Sequence, residues 1–160
     1  MAEQWEGLLE GAAAELRGHL TLERVTASRS GEEITVCFSA DMLVEERPFL
    51  ALQRALRRNF APIRVSLVVK SPELAGDFLA DPQKYAPFIL RSVRRRHPSG
   101  APLFQDARFE CKGSVLSVLV PQDVAPKFLT QAGVGTYIEE LVRNVFVTDV
   151  SVSFQAVKLR

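Results

Sequence analysis

The stretch RPFLALQRALRRNFAPIRVSLVVK, residues Arg47–Lys70, decides the fold that the sequence predicts. Its first part predicts a helix, because apolar residues recur at spacings of three and four on one face: Phe49, Leu52, Leu56 and Phe60. Three arginines fall on the opposite face: Arg54, Arg57 and Arg58. Pro62 ends the helix, since a proline disfavours helical geometry in the residue before it. The second part predicts a half-buried strand, because apolar and polar residues alternate from Ile63 to Lys70.

A similar helix–strand unit recurs about one domain later. Its helix has an apolar stripe that ends at Phe146, and its strand alternates apolar with polar residues from Asp149 to Phe154. The joints are also similar, Arg58-Asn59-Phe60 in the first unit and Arg143-Asn144-Val145-Phe146 in the second. The repeat predicts two small domains of related plan, residues 1–71 and 72–160.

Composition indicates a folded protein without a strong overall charge. The chain of 160 residues is 47% hydrophobic and 24% charged, with a net charge of +1. Any binding to nucleic acid or membrane therefore needs a local patch of charge. No apolar run reaches the ~20 residues of a membrane span, and the acidic start lacks the pattern of a signal peptide. We therefore expect a cytoplasmic protein without membrane contact.

The two cysteines, Cys37 and Cys111, are too few for a disulfide framework and lack the paired spacing of a zinc site. Each falls in a strand of alternating pattern, where a cysteine is usually a small buried hydrophobe. We expect no cofactor.

The first domain is predicted as α-β-β-α-β. Its elements before Arg47–Lys70 are a helix over Ala2–His19, a strand over Leu20–Ala27, a turn at Ser28–Gly31 and a strand around Ile34–Phe38. The second domain is predicted as α-β-β-α-α-β. Its elements are a junction broken at Gly76-Asp77, a helix starting at Asp81-Pro82, strands at Phe104–Cys111 and Ser114–Val120, helices at Asp123–Gln131 and Thr136–Phe146, and a strand at Val147–Phe154.

The predicted class is α+β, with three-stranded sheets and helices packed on one face of each. The order of elements in the second domain resembles the bacterial (type II) KH fold.

Several local strings resemble one family, the N-terminal region of PolC-type DNA polymerase III, the replicative alpha subunit of low-GC Gram-positive bacteria. These strings are Ile34–Phe38, Phe49 to Ile63, Asp81–Tyr85, and Gly113–Val120 ahead of the helix at Asp123. The resemblance implies a first domain similar to the partner-contacting domain of the clamp-loader tau subunit and to the N-terminal domain of the initiator DnaA. It implies a KH-like second domain.

The resemblance also implies a piece of a larger enzyme. In that family the later parts are an OB-fold, a metal-binding phosphoesterase-like domain, a 3′–5′ exonuclease and the nucleotidyltransferase core. None of them matches residues of this chain, which we therefore expect to be the non-catalytic front end of a DNA-directed DNA polymerase.

The residues themselves indicate no active site. Polymerases and exonucleases need clustered carboxylates that hold two metal ions. The acidic pairs Glu32-Glu33, Glu45-Glu46 and Glu139-Glu140 lack an Asp-x-Asp spacing or a neighbouring histidine, which favours solvated surface. His19 and His97 end predicted helices and have no indicated triad partner.

Gly133-Val134-Gly135 lies where a KH module carries its GxxG loop, which clamps backbone phosphates. The sequence has one residue fewer than GxxG, and Gln131 and Thr136 flank it instead of basic residues. The alternative is a helix–helix turn in which a glycine supplies positive φ.

Two groups of arginines are candidate nucleic-acid contacts: Arg54, Arg57 and Arg58, and then Arg91, Arg94, Arg95 and Arg96. If both faced the same way they would form a patch able to contact phosphates. The alternatives are helix C-terminal capping, a solvated face, or an interface to the rest of a polymerase chain.

Three functions follow. The first is a protein-docking or positioning module of the replisome, with the clamp-loader tau subunit or an initiator-type protein as partner. The second is a single-stranded or primer–template DNA-binding arm that uses the glycine turn and the arginines. The third is a free-standing scaffold unrelated to replication.

Overall fold

The computed structural model describes residues 7–104, 106–121 and 123–157, and the chain divides into unit 1, Met1–Leu74, and unit 2, Ala75–Arg160. Each unit contains helices and one three-stranded mixed sheet. This confirms the α+β class and the two small units.

Unit 1 forms around the predicted helix and strand. Its elements are a 3-10 helix at Gly11–Leu16, β1 (Leu20–Ala27), β2 (Glu33–Ala40), α1 (Glu46–Phe60), β3 (Arg64–Lys70) and a 3-10 helix at Pro72–Leu74. The sheet order is β1-β2-β3, with β1 antiparallel and β3 parallel to the central β2. Helix α1 is therefore the crossover between two parallel strands, as parallel pairing requires.

The core of unit 1 lies between one face of the sheet and the apolar stripe of α1. Val36 and Phe38 of β2 belong to the same buried cluster as Leu52 and Leu56 of α1. Burying such a side chain contributes about 1.5–3 kcal/mol, so this stripe holds the helix against the sheet. Helix α1 ends at Phe60, and Ala61 takes ψ 140, as expected for a residue before proline.

The first predicted helix differs from the structure. Residues 2–6 of the predicted Ala2–His19 helix lie outside the described residues, and the described part contains the 3-10 helix Gly11–Leu16. Gly11 has a φ of +59°, which an α-helix running through it does not allow. The apolar stripe nevertheless packs as expected, since Ala13 and Leu16 are fully buried.

Unit 2 repeats the sheet plan of unit 1. Its elements are α2 (Ala75–Ala80), a 3-10 helix at Pro82–Tyr85, α3 (Ala86–Arg96), a 3-10 helix at Ala101–Phe104, β4 (Arg108–Lys112), β5 (Val115–Val120), α4 (Ala125–Gln131), α5 (Val134–Phe146) and β6 (Ser151–Ala156). The sheet order is β4-β5-β6, with β4 antiparallel and β6 parallel to the central β5. The KH-like identity of this unit stays a prediction.

The start of unit 2 corrects the sequence interpretation. The predicted break at Gly76-Asp77 lies within α2, and Asp81 makes no capping hydrogen bond with its side chain. Packing explains the extra helix. Phe78 is fully buried and stacks on Phe146, with ring centroids 4.6 Å apart.

The last strand of unit 2 begins later than predicted. Val147 has φ 54° and ψ 45° and terminates α5 in the left-handed conformation, so β6 starts at Ser151 instead of Val147. A left-handed residue is common at a helix C-terminus, although it is usually glycine.

Candidate functional site

A groove of about 830 Å³ runs along α1 in unit 1. Six residues of the helix line it: Ala51, Arg54, Ala55, Arg57, Arg58 and Asn59. The facing wall comes from the segment that leads into β1: Gly7, Leu8, Glu10 and Ala12. We call this feature the α1 groove.

The floor of the α1 groove is apolar and lacks bulky side chains. Leu52 and Leu56 turn one side of α1 into the core, which leaves Ala51 and Ala55, four residues apart, on the neighbouring flank. Leu8 packs against the core of unit 1 from the facing segment and stays half-buried. The small alanines therefore create a depression instead of a filled surface.

The rim of the α1 groove is basic. Arg54, Arg57 and Arg58 are exposed, and the described residues include no carboxylate that forms an ion pair with any of them. Arg54 Nε donates a hydrogen bond to the backbone oxygen of Leu50 at 3.4 Å. Among the residues that the structure describes, Glu10 is the single acidic one on the groove wall. The rim thus holds more positive than negative charge.

A smaller cavity of about 490 Å³ lies beyond the C-terminal end of α1. Arg57 and Arg64 line it together with Glu33, whose Oε1 accepts a hydrogen bond from Ser66 Oγ at 3.3 Å. Arg57 therefore borders both cavities, and the basic surface continues past the end of the helix.

The second arginine group lies on α3 of unit 2. Arg91, Arg94 and Arg95 are exposed on the side opposite buried Ile89 and Val93.

Arg96 is also exposed, and its charge acts on Tyr137 of α5. The ring of Tyr137 lies 5.4 Å from that of His97, and its hydroxyl donates to the backbone oxygen of Ser92 at 3.3 Å. Burial raises the pKa of Tyr137, while the charges of Arg95 and Arg96 act in the opposite direction. The end of α3 therefore combines clustered cations with two aromatic rings.

The two predicted arginine groups belong to different units. Each forms a basic surface on its own helix, so a local function of either group needs no contribution from the other. A single continuous patch made of both groups stays a prediction.

The two candidate glycines have structural roles in unit 2. Gly133 precedes α5 with a φ of +79°, which explains the turn by conformation, and its N–H donates to Thr130 O at 3.2 Å. A Cβ on Gly135 would meet the Phe154 ring, so this residue permits close packing of α5 on β6. The amide of Gly133 is thus already used inside the protein. Nucleic-acid binding by this turn stays a prediction.

A polar cluster in unit 2 was not foreseen from the sequence. Asp77 Oδ2 accepts hydrogen bonds from the Tyr85 hydroxyl at 2.5 Å and from Lys84 Nζ at 2.9 Å. These two donors hold the pKa of Asp77 below its ordinary value. Burial, followed by the hydrogen bond to Asp77, raises the pKa of Tyr85 to about 12. The cluster ties α2 to the 3-10 helix that precedes α3.

The acidic pairs take part in local hydrogen bonds. Glu139 Oε1 accepts a hydrogen bond from the backbone N–H of Val152 at 3.2 Å, which satisfies a donor of β6. Glu33 binds Ser66 across the sheet of unit 1. Within residues 7–104, 106–121 and 123–157, no group of three or more His, Cys, Asp or Glu side chains is arranged to hold a metal ion. Over the same ranges, no helix combines the length and apolar character needed to cross a membrane.

The sequence interpretation identified the rim of the α1 groove and missed its floor. The available signal was the pair Ala51 and Ala55, spaced one turn apart between the apolar and basic stripes of α1. The facing residues Leu8 and Glu10 carried no comparable signal, because only the tertiary fold brings them to α1.

No protein-family model matches the chain, and neither does any curated protein or solved structure.

Proposed function

We propose that this chain is the non-catalytic N-terminal region of a PolC-type replicative DNA polymerase III and acts in the cytoplasm as a protein-docking module of the replisome. The resemblance of the strings around Ile34–Phe38 and Phe49 to Ile63 supports the family. The element order of unit 2 supports its KH-like part. The observation that carries the docking function is the α1 groove, an open depression with an apolar floor and a basic rim.

The α1 groove suits a protein partner because its apolar floor and its basic rim can both contribute to the binding free energy. An exposed ion pair is worth about 0.2–1 kcal/mol, so three arginines alone fall short of the roughly 8 kcal/mol that micromolar binding needs. The alanine floor and Leu8 supply apolar area for the remainder. A partner must therefore present apolar side chains as well as charge.

The test measures binding of the purified chain to purified clamp-loader tau subunit and initiator DnaA by biolayer interferometry. The variant Arg54→Glu/Arg58→Glu reverses two charges on the rim. Arg29→Glu, in the turn between β1 and β2, is a control at an exposed arginine outside the groove. We expect saturable binding to at least one partner. Absence of binding to both proteins would refute the docking function.

The DNA sequence of the gene distinguishes this proposal from the alternative of a free-standing scaffold. A reading frame that continues past Arg160 into polymerase sequence supports the polymerase assignment. A stop codon directly after Arg160 contradicts it.

The second candidate function is binding of single-stranded or primer–template DNA through unit 2. It is favoured by the exposed arginines at the end of α3, next to the His97 and Tyr137 rings. Cations contact phosphates, and aromatic rings stack on bases.

Fluorescence anisotropy with labelled DNA at low and physiological salt tests this candidate. Arg94→Ala/Arg96→Ala removes two charges, and Arg108→Ala/Lys112→Ala removes two exposed charges from β4 as a matched control. DNA contact predicts affinity that falls steeply with salt and is weakened only by the α3 variant, because each neutralised phosphate releases counterions. Equal loss in both variants would indicate non-specific attraction, and absence of binding at low salt would exclude the candidate.

A further inference from the structure

We infer that the α1 groove binds one acidic amphipathic helix of a partner protein, which lies alongside α1 and pairs its carboxylates with Arg54 and Arg58. This inference rests on the proposed docking function and specifies its site and the chemistry of the partner.

The shape of the groove favours a helix. On the α1 side, Ala51, Arg54, Ala55 and Arg58 follow a spacing of i, i+3, i+4 and i+7. That spacing forms a straight stripe of about two turns, roughly 10 Å long. Helices approach closely where the residues between them are small, and Ala12 on the facing wall extends the small-residue floor. A second helix parallel to this stripe would place its own i and i+4 positions opposite Arg54 and Arg58.

The charge of the groove selects an acidic partner. Three exposed arginines without carboxylate partners among the described residues line one side, and Glu10 lies on the other. A partner helix with Asp or Glu along one edge and leucines on its face would match the basic rim and the apolar floor together. This is the helix-in-groove mode of peptide recognition.

The same features disfavour nucleic acid at this site. The phosphates of a nucleic-acid strand repeat along its whole length, so a nucleic acid that crossed the groove would bring phosphates close to Glu10. Phosphates also gain nothing from contact with the apolar floor. An acidic helix can place its carboxylates away from Glu10, which a phosphate backbone cannot.

The test uses the whole chain and a labelled peptide of about five helical turns, ~18 residues, with leucines on one face and glutamates at i and i+4 along its edge. A scrambled peptide of the same composition, a charge-swapped peptide with lysines in place of the glutamates, and a single-stranded oligonucleotide of equal charge are the other probes. The protein variants are Arg54→Glu/Arg58→Glu, Ala55→Leu to fill the floor, and Arg29→Glu as control. Circular dichroism checks that each variant is folded.

We expect the patterned peptide to bind the wild-type chain and the scrambled peptide to bind more weakly. The double charge reversal should weaken binding about tenfold or more, and the charge-swapped peptide should recover it on that variant. Ala55→Leu should also weaken binding, whereas Arg29→Glu should leave it unchanged. Rescue by the charge-swapped peptide would support direct pairing, because a structural defect of the variant would not be repaired by a new ligand.

Three results would overturn the inference: equal binding of the patterned and scrambled peptides, no effect of Ala55→Leu, or tighter binding of the oligonucleotide with loss on Arg54→Glu/Arg58→Glu. The proposed function fails separately. If tau or DnaA binds the wild-type chain and the groove variants with equal affinity, the docking function is retained and the assignment to the α1 groove is refuted. If the patterned peptide binds but neither tau nor DnaA does, the groove assignment is retained and the docking function in the replisome is refuted.

Discussion

Gly135 and Phe154 approach so closely that a Cβ atom on the glycine would lie 3.2 Å from Cε2 of the phenylalanine ring. The same ring also meets Phe104 edge-on, with centroids 5.8 Å apart, and Phe104 is fully buried. The start of α5 therefore packs on β6 through a residue without a side chain. The G-x-G pattern thus has a packing role independent of any ligand.

This contact predicts that a bulky side chain at residue 135 destabilises the protein. Gly135→Val should lower the free energy of unfolding by about 1–3 kcal/mol through overpacking. Gly135→Ala should be less stabilising than Gly76→Ala, because the contact with Phe154 offsets the gain in helix propensity. The matched control is Gly76, the second residue of α2 as Gly135 is of α5, where a Cβ would meet no atom within 4 Å. Gly76→Ala should stabilise by up to about 1 kcal/mol through helix propensity. Urea unfolding monitored by circular dichroism measures all three, and equal effects at both glycines would contradict the packing argument.

The left-handed backbone conformation of Val147 predicts that a substitution at this residue can stabilise the protein. Val147 is half-exposed and holds φ 54°, a left-handed conformation that a β-branched residue tolerates poorly. Val147→Gly should remove that strain and raise the free energy of unfolding by about 1 kcal/mol, since the left-handed region costs roughly 1–2 kcal/mol per L-residue. Val147→Ala, which retains a Cβ, should gain much less. A lower stability of Val147→Gly than of wild type would show that the side chain contributes more than the strain removes.

The Tyr85–Asp77 hydrogen bond predicts a pH-dependent contribution to stability. The pKa of Tyr85 is raised from 10.0 to about 12 in the folded protein, so the folded state keeps a proton that the unfolded state loses. The stabilisation is therefore complete below pH 10.0 and is lost as the pH rises toward about 12. The difference in stability between wild type and Tyr85→Phe should shrink over this window.

At acid pH the Tyr85–Asp77 hydrogen bond contributes a stabilisation that is lost as the pH falls. Because the pKa of Asp77 is lowered from 3.8, its contribution is present above that pH and is lost as the pH falls below it. Urea unfolding of wild type, Tyr85→Phe and Asp77→Asn across pH measures both windows. A constant difference between wild type and Tyr85→Phe at alkaline pH would contradict the assignment.

The two cysteines predict unequal labelling by thiol reagents. Cys37 is 5% exposed in β2, whereas Cys111 in β4 is half-buried and burial raises its pKa from 9.0. Cys111→Ser should leave a protein that reacts only when unit 1 opens, because the remaining thiol is inaccessible. Cys37→Ser should react slowly at neutral pH and faster as the pH rises above 9, since the thiolate is the reactive form. Faster reaction of Cys37 than of Cys111 in the folded protein would contradict the burial pattern.

Periodicity predicted those elements whose two faces differ strongly. Helix α1 and strand β3 appear where Leu52, Leu56 and the alternation after Ile63 indicated them, because burial of one face requires that spacing. Spacing could not identify the 3-10 helix at Gly11–Leu16, where the conformation of Gly11 overrides an apolar stripe that suits an α-helix. It also could not identify α2, because Gly76-Asp77 resembles a break until Phe78 is seen against Phe146.

The candidate site was predictable only in its charged half. Arg54, Arg57 and Arg58 follow from the helical pattern of α1, since polar residues opposite an apolar stripe are exposed. The groove itself depends on Leu8 and Glu10 lying across from α1, and no local rule links residues so distant in sequence. The groove could not be predicted from the sequence because it depends on contacts between residues distant in sequence and not on local propensity.

The shared sheet plan of the two units has a consequence for the order in which each one folds. The first two strands of each sheet are joined by a short turn, so the hairpins β1–β2 and β4–β5 need little chain closure and can form within microseconds. The third strand pairs parallel to the second. Because parallel pairing needs a long crossover, we expect this strand to pair after the intervening helices have docked. We therefore expect helix docking to limit the folding rate of each unit, by α1 in one and by α4 with α5 in the other, because this non-local step carries most of the loop-closure entropy. A hairpin that forms early leaves the second strand with one unpaired edge until β3 or β6 arrives, and during that interval this edge is the part of each unit most exposed to pairing with another chain.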